Sequence, residues 1–300
     1  MLELDIAMPE RIAIVGIGNM GWAIAERLAE CGFSPVVRDI DPARERLARE
    51  RGFEVAASLA AAARGSANVI VAVVDAVQTQ AVLFGVEGAA AAMPRGGCVL
   101  LCPTISPADS ERMATQLASM GLGCLDAPMS GGPARARAGT MSLMVAGDAE
   151  LLADRRHLLD AMANPVFAVG TRVGDGARTK LVNNLLAAIN LAGAAEALAL
   201  AARIGLDPAT TLAVIERSSG QSWIGSERMQ RALSGDLAPR AHMTLLAKDA
   251  KLALDLAREA AFDVQLGAAA AARFAAACAG SLRDADDAAL YAWLRDMPPA

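Results

Sequence analysis

Residues 11–15 read RIAIV, a run of β-branched and small apolar side chains that predicts a buried strand. Pro35 to Arg38 repeat the pattern. So do 67–74 (ANVIVAVV), 97–102 (GCVLLC), 123–128 (GCLDAP), 141–147 (MSLMVAG) and 164–170 (NPVFAVG). Between them lie segments with apolar residues three and four apart: one around Ile24 and Leu28, then AVQTQAVLFG, then SPADSERMATQLASMG. Strands alternating with helices predict a doubly wound α/β sheet, with ligand at the carboxyl ends of its strands. After Gly174 the strand pattern stops. Residues 175–204 predict one helix of about 30 residues, on the order of 45 Å long. Further helices are expected at 208–218, 222–234, 243–260, 264–280 and 284–295, set apart by Gly, Pro or Asp-Pro. The expected organisation is a sheet domain at 1–173 and an all-α domain at 174–300, joined by a long interdomain helix. A cleft between two domains is a favoured place for a ligand.

Composition narrows the function classes. The chain has 300 residues, 54% apolar and 20% charged, enough for two packed cores. Its net charge is −5 and it has no Lys/Arg run, so no nucleic-acid partner is expected. The short GGPARAR stretch, with Arg135 and Arg137, reads as loop or solvated surface rather than as a phosphate site. Five cysteines without a CxxC pair, and His157 and His242 far from them, argue against a metal site. They read as buried thiols of a reducing compartment. The opening MLELDIAMPE lacks the apolar core of a signal peptide. The most apolar window, LLAAINLAGAAEALALAARIG, holds Asn190, Glu196 and Arg203 and reads as too polar for a bilayer span. A soluble cytoplasmic protein is expected.

The first strand runs into Gly16, Gly18 and Gly21, spaced G-x-G-x-x-G, and then into a helix. Gly16 permits the tight turn, Gly18 lets the backbone approach a pyrophosphate, and Gly21 lets the helix pack close. The helix N-terminus favours phosphate. Asp39 ends the second strand, 18 residues after Gly21. It can accept from both adenosine ribose hydroxyls and would repel a 2′-phosphate, which favours NAD over NADP. Arg38 could face such a phosphate, but a surface-facing strand end suits it better. This is a Rossmann-type dinucleotide site. Val73, Val74 and Thr104 fall at other strand ends. Thr104 is expected either to contact cofactor or to cap the helix that starts at Ser106 or Pro107.

GARTKLVNN, residues 176–184, opens the long helix with Lys180, Asn183 and Asn184 on one face. Burial near a helix N-terminus disfavours an ammonium, which is how a lysine becomes a usable acid or base. Read alone, the stretch fits an ordinary exposed helix lysine with two polar boundary amides better than a catalytic group.

Four motifs in order resemble the β-hydroxyacid dehydrogenase family, which includes 3-hydroxyisobutyrate dehydrogenase, tartronate semialdehyde reductase and L-threonate dehydrogenase. They are GIGNMG (16–21), DAPMSGGPARARAGTMSLMVAG (126–147), GARTKLVNN (176–184) and KDAKLALDLA (248–257). The resemblance implies that Lys180 is the catalytic lysine and that Asn184 binds substrate. It implies that Ser130, Gly131 and Gly132 hold the substrate carboxylate. Asn19, Met20 and Asp39 match the dinucleotide site, and Thr104 and Lys248 match cofactor- or site-contacting positions. A Ser-Gly-Gly loop, with its hydroxyl and open N–H groups, suits an anion.

The implied reaction is hydride transfer between NAD(H) and a small anionic hydroxy acid or its oxo form. Lys180 would act as general acid/base, and Lys180 and Lys248 would draw in the anion. VVDAVQTQAVLFG, LDAPMSGG and SSGQSW resemble the L-threonate branch, which tends to carry histidine where this chain has Asn183. MTLLAKDAKLALDLA leans toward 3-hydroxyisobutyrate dehydrogenase. Trp223 is expected either in a pocket wall or in the core. The alternatives are an imine reductase-like enzyme, whose relatives usually lack this lysine, and a non-catalytic NAD-binding scaffold. A homodimer or homotetramer is expected from the family.

Overall fold

The computed structural model describes residues 8–298. Residues 1–7, on which part of the signal-peptide reading falls, lie outside them. The chain divides into two units, Met1–Lys180 and Leu181–Ala300. The first runs β1 (Arg11–Val15), α1 (Asn19–Glu30), β2 (Ser34–Arg38), α2 (Pro42–Glu50), β3 (Glu54–Val55), α3 (Leu59–Ala63), β4 (Asn68–Val71), α4 (Ala76–Phe84), α5 (Ala89–Ala92), β5 (Cys98–Leu101), α6 (Pro107–Ser119), β6 (Gly123–Asp126), β7 (Met129–Ser130), α7 (Gly132–Arg137), β8 (Ser142–Ala146), α8 (Ala149–Asp154), α9 (Arg156–Met162) and β9 (Val166–Gly170).

These strands form one sheet in the order β3-β2-β1-β4-β5-β6-β8-β7, with β9 paired to β8. The pairings from β3 through to β6 are parallel. β8 runs antiparallel to β6 and β7, and parallel to β9, so the doubly wound sheet is parallel-dominated rather than uniform. β1 lies between β2 and β4, where the strand order reverses, and that switch point is where such sheets open a crevice at their carboxyl ends. Side chains alternate across the sheet. Ile12 and Ile14 join Ile70, Leu100 and Leu125 in one core cluster. Ala13 and Val15 join Val69, Val71, Val99 and Leu101 in the other. Both faces are covered, which is why the strands read as continuous apolar runs.

The expected strand at 67–74 stops at Val71, because the chain turns away once the Ala72 N–H has bonded to the Val15 carbonyl. The two-residue strands β3 and β7 are too short to give a period. GGPARAR is the helix α7 rather than a loop. Its Arg137 pairs with Glu26 at 2.9 Å and with Glu30, and Arg135 Nε donates to the Thr140 carbonyl at 3.0 Å. Cys98, Cys102 and Cys124 are buried as expected, but Cys31 is exposed and Cys278 half-buried. No metal-binding group of His, Cys, Asp and Glu occurs among the described residues.

The long helix α10 (Asp175–Arg203) starts in the first unit and continues into the second. There follow α11 (Pro208–Glu216), α12 (Trp223–Ser234), α13 (Met243–Glu259), α14 (Gln265–Ala279), a 3-10 turn (Asp287–Ala289) and α15 (Leu290–Arg295). The core of this unit takes Ala188, Leu191, Ala195 and Leu198 from α10, Phe274 from α14 and Tyr291 from α15. By length and composition α10 is long and apolar enough to cross a membrane, with a mean hydropathy of 1.8 over 18 residues, so the three polar residues do not disqualify it as expected. Its buried stripe, however, belongs to the helical core.

Candidate active site

Gly16 follows β1 with φ +88°, and a Cβ there would come within 2.7 Å of the Ala72 carbonyl oxygen. A Cβ on Gly21 would stand 1.8 Å from the Gly16 carbonyl oxygen, so α1 packs directly on the turn. At Gly18 an added Cβ would meet nothing within 4 Å; the turn is open there. Gly18 is the N-cap of α1 and no side chain caps it. A helix start without a side-chain cap suits an anion. Asn19 is exposed, and Met20 packs against the core.

Asp39, just beyond β2, is locked onto this turn. Its Oδ2 accepts from Ile17 N–H at 2.7 Å and its Oδ1 from Asp41 N–H at 2.9 Å. Arg38 is not at a bare surface. Its guanidinium pairs with the buried Glu45 and donates to the Asp39 carbonyl at 2.7 Å. Burial alone would raise the Glu45 carboxyl, but the bonds from Arg38 and from Asp39 N–H hold it below the usual carboxylate range. Sequence reasoning passed over Arg44, whose Nη1 donates to the Ile17 carbonyl at 3.1 Å and so borders the same turn. An open glycine turn, an uncapped helix start and an anchored acid fit a dinucleotide.

Val74 lies on the loop after β4, its side chain exposed and its N–H donated to Gln78 Oε1 at 3.0 Å. Thr104 lies between β5 and α6. The cap of α6 is Ser106, which accepts from Asp109 N–H at 3.1 Å, so capping does not account for Thr104.

Ser130 ends β7, paired in register with Ser142. Gly131 (φ +132°) and Gly132 (φ +74°) take backbone conformations that L side chains rarely adopt, which explains two glycines there. Lys180 lies in the second turn of α10 and is only 7% exposed. In the helical unit Asn184 is 8% exposed. Its Nδ2 donates to Asp249 Oδ2 at 2.6 Å, and its Oδ1 accepts from Asn183 Nδ2 at 2.9 Å. Lys248 Nζ lies 2.8 Å from Asp249 Oδ1, an ion pair outside hydrogen-bond geometry. Asp249 thus joins Asn184 to Lys248. The sequence reading missed it, although it stands inside the quoted KDAK run. Trp223 is 51% exposed at the start of α12, so it is not a core residue. A cavity of about 700 Å³ bordered by Glu196, Leu200, Arg203 and Arg273 shares no residue with this constellation.

The parallel-dominated sheet, with its open glycine turn at the switch point, and the helical unit after it are the build of a nicotinamide-dependent oxidoreductase. Residues 11–170 match the NAD binding domain of 6-phosphogluconate dehydrogenase. Residues 174–294 match the domain described as NAD-binding of NADP-dependent 3-hydroxyisobutyrate dehydrogenase. The chain is 38% identical to an L-threonate dehydrogenase of Cupriavidus necator, over 94% of this chain and 95% of that one. It is 30% identical to the human mitochondrial 3-hydroxyisobutyrate dehydrogenase, over 97% and 89%. A crystal structure of a 3-hydroxyisobutyrate dehydrogenase from Salmonella typhimurium superposes with a TM-score of 0.88 at 33% identity, over 95% and 99% of the two chains. The chain belongs to the β-hydroxyacid dehydrogenase family.

Proposed function

We propose that this chain moves a hydride between NAD(H) and a small hydroxy acid of the L-threonate type, with Lys180 as general acid/base. The observation that carries the reading is a lysine 7% exposed in the second turn of α10, with an amide held in place one turn further on. The likeness to L-threonate dehydrogenase, stronger than that to the mitochondrial enzyme, favours a sugar acid over 3-hydroxyisobutyrate. Asn183, where that branch tends to carry histidine, donates to Asn184 and so steadies the same amide.

In this reading residues 1–173 are the NAD-binding domain and residues 174–300 the all-helical substrate and oligomerisation domain. Gly16, Gly18, Asn19, Met20 and Gly21 form the floor for the dinucleotide, and Asp39 selects the ribose of NAD. Val74, Thr104 and Lys248 border the cofactor. A bound nicotinamide supplies the hydride chemistry. Ser130 and the N–H groups of Gly131 and Gly132 hold the carboxylate. Asn184, its amide nitrogen fixed by Asp249, places the reacting oxygen. Lys180 takes the hydroxyl proton during oxidation and returns it to the carbonyl oxygen during reduction. Positioning and charge are the protein's contribution. We take the enzyme to be cytoplasmic and a homodimer or homotetramer, with neither nucleic acid nor membrane as a partner.

The test is NADH formation, followed by absorbance, with L-threonate, D-glycerate, 3-hydroxyisobutyrate, L-serine and 4-hydroxybutyrate, each with NAD and with NADP. L-threonate and NAD are the expected pair. Faster turnover of 3-hydroxyisobutyrate would move the substrate to the other branch. Silence across the panel, in protein that still binds NADH, would overturn the hydroxy-acid reading. Reduction of a cyclic imine by that protein would put the imine reductase in its place.

A further inference from the structure

Asp126 ends β6 and is 1% exposed. Its Oδ2 accepts from Gly174 N–H at 2.9 Å and from Ala177 N–H at 2.8 Å. Those two donors flank the start of α10, so one carboxylate oxygen ties the first turn of that helix to the sheet. The approach is close on both sides: a Cβ on Gly176 would come within 2.8 Å of the Met144 carbonyl and 3.0 Å of Asp126 Cγ. Asp126 Oδ1 is buried without a hydrogen-bond partner. The arrangement spends a buried charge on two backbone donors, and an apolar contact would have held the helix more cheaply. A negative group at a helix N-terminus also interacts favourably with the helix dipole. Lys180 stands three residues after Ala177 on the same helix.

We propose that Asp126 is the positioning residue for Lys180: its carboxylate fixes the height and rotation of the first turn of α10, and through it the ammonium that moves the proton. The inference rests on the acid/base reading of Lys180. Protonation weakens both bonds, because a neutral carboxyl is a poorer acceptor at a helix start. The groups that face Asp126 are few. Arg178, on α10, favours its charged form and is itself held by Glu111 of α6 at 2.7 Å. Asp175 opposes the charged form, and Cys102 and Cys124 lie close by. Burial outweighs the backbone bonds and pushes Asp126 up to about 6. The anchor therefore loosens as pH falls through about 6.

The direction of reaction separates this effect from the titration of Lys180. In reduction Lys180 must carry a proton, so its own titration removes activity at high pH. Loss of the Asp126 anchor removes activity at low pH. The test is kcat for reduction of the oxo acid between pH 5 and 9, in the wild type and in Asp126→Ala, Asp126→Asn and Lys180→Met. The wild type should show an acid limb near pH 6. Asp126→Ala should lower kcat at least about tenfold with NADH affinity kept, since a misplacement of about 1 Å can cost about a hundredfold. Asp126→Asn keeps an oxygen for the two N–H donors but cannot titrate. Its neutral oxygen mimics the protonated carboxyl, so its kcat should stay near the level the wild type reaches at low pH, above that of Asp126→Ala, and show no acid limb. Asp126→Asn also serves if the alanine variant does not fold. Wild-type kcat in Asp126→Ala, or an acid limb that persists in Asp126→Asn, would overturn the inference. Wild-type turnover in Lys180→Met would instead overturn the reading of Lys180 beneath it.

Discussion

Asparagine in place of Asp39 removes one charge from the glycine turn and changes the shape little. In the wild type both carboxylate oxygens are engaged, by Ile17 N–H at 2.7 Å and Asp41 N–H at 2.9 Å. An amide offers one acceptor, so one N–H loses its partner, at a cost of about 0.5–1.5 kcal/mol in stability. The charge change acts on the cofactor and depends on which cofactor it is. The ribose hydroxyls of NAD donate to a carboxylate, whereas NADP brings a 2′-phosphate of the same sign. Two like charges about 4 Å apart at an effective dielectric near 20 repel by about 4 kcal/mol. Asp39 is half-buried and salt screens the rest, which leaves about 1–3 kcal/mol. Asp39→Asn should therefore raise kcat/KM for NADP relative to NAD about ten- to a hundredfold. Arg44, bonded to the Ile17 carbonyl and 3.8 Å from Asp41, is the cation that can meet the phosphate, since Arg38 is committed to Glu45. Arg44→Ala in the Asp39→Asn background should cancel most of the gain. The assay is initial rates with each cofactor at a fixed, saturating hydroxy acid. A cofactor ratio within twofold of the wild type would refute the argument that this carboxylate selects the cofactor.

Gly21→Ala places a Cβ 1.8 Å from a backbone oxygen, so α1 and the turn must separate. It should lower stability by at least about 1–3 kcal/mol and abolish NADH binding; a thermal melt with and without NADH checks both. Asp249→Ala leaves the Asn184 amide buried without its acceptor, a loss of about 1–3 kcal/mol, and should raise KM for the hydroxy acid more than KM for NAD. Equal effects on the two constants would remove Asp249 from the substrate site. Asp126, pushed up to about 6, holds a proton in the folded state between about pH 4 and 6 that the unfolded chain has already released. Its contribution to stability is therefore present at pH 4 and falls as pH rises to about 6. Urea unfolding of the wild type and Asp126→Asn should show their difference shifting in favour of the variant by about 2 kcal/mol between pH 4.5 and 7.5, and an unchanged difference would refute the burial argument.

What could be read along the chain was whatever repeats along the chain. The strand at 11–15 was legible because burial on both faces leaves a short continuous apolar run, and the helix from 175 because its apolar, alanine-rich run is far too long for a strand. The glycine turn was legible because Gly16 and Gly21 meet each other over five positions. Ser106 was one of two starting points read for α6, and as the cap it removed one of the two roles open to Thr104. The antiparallel placement of β8 was not legible, since a fully buried strand reads the same in either direction. Nor were the partners of the charged residues. Asp126 reaches Gly174 across 48 positions and Asn184 reaches Asp249 across 65, and no spacing announces either pair.

The division follows the energetics. Apolar burial is shared among many side chains, so it is written redundantly and survives being read one segment at a time. A buried carboxylate needs particular donors at particular distances, and each is supplied by a different element. In this chain two of those singular contacts lie at strand ends and helix starts, Asp39 on the glycine turn and Asp126 under α10, and the third, Asp249 with Asn184, joins the bodies of two helices. Each carboxylate holds something the proposed reaction needs held, whether the ribose-selecting corner, the helix of the acid/base lysine or the amide that places the oxygen. The three aspartates are where substitution should change catalysis and stability by separable amounts. A conservative amide at each keeps the shape while removing the charge and one acceptor, and it is therefore the sharper probe of all three.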